Sequence, residues 1–253
     1  MQIERLPTAR GYSWTTEGIR LLLRQPLGLL ASGFLALMLM SLPLIIPGIG
    51  VPLAVAIVPA IFVGLMKAIR AVDQGQNPNP AMLISVFTRD GKTVWQQLLV
   101  LGAVSAVLTV LVMGANTVLG GATMADFVLP GPDGEQPPDP TTLLLPFALF
   151  LVLYTPVQMA LWYAPLFVAW HQVPVSKALF FSLVAVWRNR WAFVAMFIAW
   201  ALVLIIGLGM LAGLASMLGL PPSLLAMIVS PLTMAAITAM YCSCWLTYRD
   251  VIR

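Results

Sequence analysis

Six long apolar stretches, separated by short polar segments, restrict the folds open to this chain more than any other feature. They cover residues 27–46, 51–68, 94–119, 143–170, 191–218 and 223–246, and Lys67 is the single Asp, Glu, Lys, Arg or His among them. About 20 consecutive apolar residues suffice for a helix to cross the hydrocarbon of a bilayer. Only 9% of the 253 residues are charged, so lipid must solvate most side chains. We therefore predict an all-α, polytopic integral membrane protein with six transmembrane helices in one membrane domain, residues 1–253.

Three shorter amphipathic segments precede the first, third and fifth apolar stretches. Residues 14–24 carry charged side chains on one side and apolar ones on the other, and the segments that start near Pro80 and Pro174 have a similar character. This pattern is typical of helices that lie in the headgroup layer. We predict three interfacial helices, the second of them capped by Asn79. The remaining long connection, residues 120–142, is acidic and rich in proline, which predicts a loop without regular structure.

The charges are divided unequally between the two ends of the predicted helices. All 13 Lys and Arg fall on the side of the termini together with five acids, which gives +8, whereas the other side holds four acids and no base. Basic residues near transmembrane helices are retained on the cytoplasmic side. We therefore expect both termini to lie in the cytoplasm and the loop 120–142 outside it.

The order of interfacial helix, span and span occurs three times along the chain. Leu83-Ile-Ser-Val-Phe87 resembles Leu183-Val-Ala-Val-Trp187, and each precedes a basic cluster and a span. The match indicates an internal threefold repeat, although apolar stretches ahead of basic anchors also resemble one another by chance. Gly209 with Gly213, and Ala235 with Ala239, form small-residue faces of the kind that allow close helix contact. We predict that they pack inside the bundle, and a dimer seam is the alternative.

No residue pattern typical of catalysis is present in the sequence. The chain has one histidine, no phosphate-binding glycine loop and no nucleophile elbow, so we expect neither enzymatic activity nor a cofactor. Cys242 and Cys244 are two positions apart, which places them about 200° apart on a helix, and we expect no metal site. The scarcity of ionisable groups at depth also argues against proton coupling.

Polar side chains within the spans are expected mainly to join helices by hydrogen bonds. Gln158 is a special case, because the nearby Pro156 leaves a backbone carbonyl one turn earlier without its helix partner. Gln158 and Asn116 are therefore our candidates for the wall of a cavity within the bilayer.

A belt of basic and aromatic residues is predicted at the headgroup level on the side of the termini, and we place Trp14 in the same plane. Each cation there is worth about 1 kcal/mol near anionic lipid, although ordinary anchoring of the spans explains the same residues. We expect the lipid bilayer to be the main partner, with anionic phospholipid at this face, a membrane protein as a further candidate, and no nucleic acid. The candidates for headgroup or partner binding are Arg24, Lys67, Arg70, Arg188, Arg190, Trp187 and Trp191.

Several short motifs resemble one family of proteins. They are Arg10-Gly-Tyr-Ser-Trp14, the turn Ile46-Pro-Gly-Ile-Gly50, the segment Leu161-Trp-Tyr-Ala-Pro165 and the end Tyr248-Arg249-Asp250. Together they resemble uncharacterised six-span proteobacterial inner-membrane proteins of unknown function, over nearly the whole chain. The resemblance implies a location in the bacterial inner membrane and transfers no functional residue.

Two hypotheses for the function remain open at this point. The first is a non-catalytic membrane protein that supports envelope or complex organisation through lipid and partner contacts. The alternative is a carrier of an apolar or amphipathic solute that is not coupled to protons. A bundle without a cavity near Gln158 would exclude the alternative.

Overall fold

A computed structural model describes residues 2–88, 90–119 and 140–253. The helices in these ranges are α1 (Ala9–Arg24), α2 (Pro26–Ser41, continued by a 3-10 turn over Leu42–Ile45), α3 (Gly50–Asp73), α4 (Ala81–Thr88), α5 (Lys92–Val118), α6 (Pro140–Leu161), α7 (Ala164–His171), α8 (Val175–Arg188), α9 (Arg190–Met217) and α10 (Pro222–Val251). Within the described ranges the one extended pairing is a single bridge between Ile3 and Ile252. The predicted all-α fold is confirmed.

Six of these helical segments are long and apolar enough to cross a membrane, as the sequence predicts. Their outer faces carry large exposed apolar side chains, such as Val107, Val110 and Met217. In water this surface would be a strong liability, whereas in a bilayer it is the expected lipid contact. The protein is therefore built with its apolar surface outward as well as inward.

The predicted boundaries are wrong at several helix ends. The fourth span is not one continuous helix over residues 143–170, because α6 ends at Leu161 and α7 begins at Ala164, next to Pro165. The last helix continues to Val251, so the predicted polar tail is helical. Most of the predicted loop 120–142 lies outside the described residues. Asn79 does cap α4, since its side-chain oxygen accepts a hydrogen bond of 2.9 Å from the backbone N–H of Ala81.

The helices form three units in a closed order. The units are α1–α3, α4–α7 and α8–α10, and each contains one short helix followed by two spans. The short helix of each unit packs on the second span of the unit before it: α4 on α3, α8 on α6 and α7, and α1 on α10. This is the arrangement expected of a threefold repeat whose last unit closes on the first. The ends of the spans next to α1, α4 and α8 form what we call the terminal face.

The two chain ends complete this closure. The backbone N–H of Gln2 donates a hydrogen bond of 2.6 Å to the carbonyl of Arg253, and that of Glu4 donates one of 3.0 Å to the carbonyl of Val251. The amide of Asn189, at the junction of α8 and α9, donates to the carbonyl of Glu4 and accepts from the N–H of Leu6, each over 2.8 Å. The first and third units are therefore joined by main-chain hydrogen bonds at the terminal face.

Glycine allows close helix contact at places that the small-residue pattern does not indicate. A Cβ on Gly102 of α5 would lie only 1.9 Å from the carbonyl oxygen of Ala56 in α3, so a larger residue cannot fit without moving a helix. By contrast, open space surrounds Gly209 and Gly213. The prediction that this pair packs inside the bundle is wrong, because their side of α9 faces outward.

Candidate functional site

A cavity of about 370 Å³ lies between α3, α5, α6, α7 and α10. Its wall includes Phe62 of α3, Ser105 of α5, Gln158 of α6 and Tyr241 of α10. Phe62 and Ser105 lie near the middle of their helices, which places the cavity at mid-depth of the apolar region. The second span of every unit contributes to the wall, so the cavity lies where the three units meet.

The wall is mainly apolar and carries several uncharged polar groups. The hydroxyls of Ser105 and Thr109, the amide of Gln158 and the phenols of Tyr154 and Tyr241 belong to it. The lining residues that the structure describes include no Asp, Glu, Lys, Arg or His. Such a wall suits an uncharged molecule with polar and apolar parts, because an unpaired ion at this depth would lose its hydration.

Two prolines line the cavity. Pro59 and Pro165 line the cavity, and so do Val55 and Leu161, which precede them by four positions. Proline has no N–H, so the carbonyls of Val55 and Leu161 receive no helical hydrogen bond from these prolines. The cavity thus lies beside two places where proline interrupts the helical hydrogen bonding.

The two residues predicted from the sequence as cavity candidates differ in position. Gln158 lines the cavity, whereas Asn116 is buried near the far end of α5 and is not part of this wall. The sequence did not point to Tyr154, Trp162 or Tyr241 as wall residues. Aromatic residues are common in apolar spans, and the neighbouring sequence does not indicate which of them face the protein interior.

A network of charged and aromatic residues holds the terminal face together. The guanidinium of Arg10 donates hydrogen bonds to Glu17, over 2.5 Å, and to Asp250, over 2.7 Å. The indole of Trp14 donates to the same Asp250 oxygen over 2.9 Å, and Arg249 lies 3.5 Å from Glu17. Burial alone would lower the pKa of Arg10, but hydrogen bonds to the two carboxylates outweigh it and the pKa is raised. Arg10 therefore stays charged within its acidic surroundings.

Trp14 faces the interior of the protein, which its expected place at the headgroup level did not indicate. Its side chain is fully buried and packs against Phe193 in a tilted arrangement, with ring centroids 5.7 Å apart. The carboxylate of Asp250 accepts the hydrogen bond of its indole N–H, so the polar group of this tryptophan has a partner although the ring is buried. The motif residues that carry the family resemblance at the two chain ends thus contact each other directly.

Three members of the predicted headgroup belt have partners within the protein. The ammonium of Lys67 is bound by the carboxylate of Asp90 and the hydroxyl of Ser85. The guanidinium of Arg70 stacks on the ring of Trp170, 5.5 Å from its centroid.

Arg24 is 61% exposed and its guanidinium lies 3.8 Å from the carboxylate of Asp73. An ion pair this long and exposed is weak. Arg24 and Arg70 are both exposed, whereas Lys67 is partly buried.

The other four members form an exposed patch at the junction of α8 and α9. Trp187 and Trp191 are each 59% exposed, and the guanidinium of Arg190 stacks on both rings, 5.2 and 5.6 Å from their centroids. Arg188 is also exposed. Among the described residues, no salt bridge involves Arg188 or Arg190. We call these four residues the Trp-Arg patch.

The helical content and the six long apolar helices define the class: an all-α, multi-pass membrane protein. Comparison with known proteins places it more narrowly. The chain is 36% identical over 257 residues to the probable inner membrane protein BTH_II0599 of Burkholderia thailandensis, which covers 98% of this chain and 93% of that protein. It belongs to the same family of bacterial inner-membrane proteins, which confirms the resemblance stated from the motifs.

Two further comparisons give no match. No family model matches the chain, and no solved structure matches it. The name of the Burkholderia relative states a membrane location and no activity.

Proposed function

We propose that this protein is a non-catalytic carrier that binds an uncharged, amphipathic small molecule in the cavity around Gln158. The observation that supports the proposal is the position of this cavity, at mid-depth and between the second spans of all three units. Carriers place their binding sites near the middle of the bilayer, between structural repeats and beside interrupted helices. The interruption between α6 and α7 lies at the same place.

The wall chemistry supports a neutral solute. A volume of about 370 Å³ is in the lower part of the range of roughly 300–1,000 Å³ that small-molecule sites occupy. Gln158 offers both a donor and an acceptor, and the hydroxyls near it offer the same. Since the wall has no charged side chain among the residues described, neither proton nor ion coupling is part of the proposal.

Thiol labelling tests whether the cavity is reached from water, as a carrier requires. The background is a variant in which Cys242 and Cys244 are replaced by alanine. Ser105→Cys then places one thiol in the cavity wall, and Val107→Cys places one on the outward face of the same helix, where the side chain is 58% exposed to the surroundings. The two positions lie within one turn, so they share the same depth.

In intact cells we expect a small, water-soluble methanethiosulfonate reagent to modify the cavity thiol at least tenfold faster than the outward one. A neutral thiol reagent that partitions into lipid should modify both and serves as the control for folding and exposure. Equal rates with the water-soluble reagent would mean that no aqueous path reaches the cavity, and the carrier proposal would then fail.

Gln158→Leu tests the role of the amide. It removes the central polar group without changing the volume greatly, so the folded protein should persist while molecules bound in the cavity are lost. Native mass spectrometry of the purified proteins would compare the small molecules that remain bound to the original chain and to the variant. If the same small molecules remain bound to both proteins, Gln158 is not needed for ligand binding.

Organisation of the envelope through lipid and partner contacts is the second candidate function. The Trp-Arg patch favours it, because two exposed guanidinium groups and two exposed indoles lie together at the predicted headgroup level. In both proposals the termini lie in the cytoplasm and a membrane protein is a candidate partner. Crosslinking in native membranes followed by mass spectrometry tests the partner: a reproducible crosslink through α8 or α9 supports it, and crosslinks to lipid alone count against it.

A further inference from the structure

An apolar groove runs along the outside of the bundle between α6 and α8. Its volume is about 590 Å³, and Val152, Thr155 and Met159 of α6 face Leu183, Val184 and Trp187 of α8 across it. The groove is separate from the central cavity and shares no lining residue with it. In a bilayer a trough of this kind is filled by hydrocarbon, because an empty one would forfeit the contacts of its whole lining.

The groove ends at the Trp-Arg patch. Trp187 belongs to both, and the guanidinium of Arg190 lies over its ring and donates a hydrogen bond of 3.4 Å to its backbone carbonyl. Arg188 follows the groove residue Val184 by four positions, so the two lie on the same face of α8. Arg188 and Arg190, which have no salt-bridge partner among the described residues, therefore lie at one end of the apolar groove.

The length of the groove indicates what occupies it. From Val152 to Met159 the α6 part of the wall rises through seven residues, which is about 10 Å of helix. One leaflet of the hydrocarbon core is about 15 Å thick. This side of the groove is thus shorter than one leaflet, and the groove reaches Trp187 beside the two cations, which suits part of one acyl chain of a lipid whose headgroup lies at the patch. A partner helix that crosses the membrane would need a seam of about 30 Å, roughly three times this length.

We propose that this groove is a binding site for one anionic diacyl phospholipid of the leaflet at the terminal face. One acyl chain lies between α6 and α8, and the phosphodiester lies against Arg188 and Arg190. The indoles of Trp187 and Trp191 hold the guanidinium of Arg190 at the depth of the phosphate, where tryptophan is favoured. The site is independent of the central cavity and of the carrier proposal.

Native mass spectrometry measures the lipids that the purified, full-length protein retains from an equimolar mixture of phosphatidylglycerol and phosphatidylcholine. The two lipids share their acyl chains, so a preference for the first reports on the headgroup. Each cation near an anionic headgroup favours it about fivefold. We therefore expect clear selection of phosphatidylglycerol by the original chain, a loss of about fivefold in Arg190→Gln, and most of the selection restored in Arg190→Lys.

Matched controls separate the site from general charge and from general lipid contact. Arg20→Gln removes another exposed cation of the terminal face, on α1 and away from the groove, and should leave the selection unchanged. Val152→Trp fills the groove and should lower the retention of both lipids. Leu151→Trp adds the same ring at the neighbouring position of α6, outside the groove, and should have no such effect.

Two results would overturn the proposal. One is equal retention of the two lipids by the original chain, which would show that the patch does not select a headgroup. The other is equal lipid retention by Val152→Trp and Leu151→Trp, which would show that the groove holds no acyl chain. Thermal unfolding of every variant, compared with the original chain, identifies any that lose lipid because they fail to fold.

Discussion

Asp250 offers the sharpest test of how the ring of units is closed. Its carboxylate accepts hydrogen bonds from Arg10 and Trp14 of α1 and from its neighbour Arg249, and its side chain is only 16% exposed. Asp250→Ala would leave the indole N–H of the fully buried Trp14 without its partner. Removing one partner of a buried ion pair costs about 3–5 kcal/mol, and the partial exposure here favours the lower end, about 3 kcal/mol.

The matched control is another carboxylate that joins the two chain ends. Glu4 lies 3.1 Å from Arg253, but these side chains are 36% and 70% exposed. Pairs of this kind contribute about 0–1 kcal/mol, so Glu4→Ala should change the stability little. The main-chain bonds of Glu4 to Val251 and Asn189 remain in this variant, so it removes only the exposed charge pair.

Thermal unfolding in detergent, followed by circular dichroism, measures the difference. For a chain of this size 1 kcal/mol corresponds to about 2–4 °C, so Asp250→Ala should lower the melting temperature by roughly 6–12 °C and Glu4→Ala by at most roughly 4 °C. The near-ultraviolet signal of the tryptophans should change in the first variant only. If both variants melt within 2 °C of each other, the network around Asp250 does not hold α1 to α10, and the reasoning is refuted.

Two further predictions concern packing and orientation. Gly102→Ala should destabilise the protein by about 1–3 kcal/mol, because the new methyl overlaps the backbone of Ala56 and forces α3 and α5 apart. The control Gly209→Ala lies in open space and should be neutral or stabilise the protein by up to about 1 kcal/mol. Equal melting temperatures of the two variants would contradict the close contact at Gly102. For orientation, a membrane-impermeant maleimide applied to intact cells should leave Lys177→Cys unmodified and label Gln136→Cys in the predicted acidic loop. Labelling of Lys177→Cys alone would show that the topology is the reverse of the one predicted.

The network around Asp250 also gives the family motifs a physical meaning. Arg10 and Trp14 come from one motif and Asp250 from another, more than 200 residues away in the chain. Neither motif is catalytic in appearance, and the structure gives both a role in closing the ring of units. Since α10 also lines the central cavity, this closure holds one wall of the proposed binding site.

The distribution of charge within the protein separates two tasks. At the terminal face the carboxylates of Asp73, Asp90 and Asp250 are each engaged by basic residues of the chain itself. The guanidiniums of Arg188 and Arg190 face outward beside two indoles. The basic residues in ion pairs that close the bundle are thus different from the basic residues of the proposed lipid site, although their sequence context is alike.

The sequence alone was sufficient for the number of spans and the three short helices. These are properties of contiguous segments: a stretch such as residues 191–218 is long and apolar enough to span whatever its neighbours are. The cap at Asn79 is local in the same sense, because donor and acceptor are two positions apart.

Tertiary structure alone decided which side of each span faces inward. Most of the spans are apolar all round, so no amphipathic pattern reports their rotation about the helix axis. Gln158 faces the cavity and Asn116 does not, Gly102 meets a backbone and Gly209 meets open space, and Trp14 is buried although tryptophan suits the interface. Each outcome depends on which helices are neighbours. In a membrane protein the side of a helix that faces lipid is as apolar as the side that faces the core, so the sequence alone does not distinguish them.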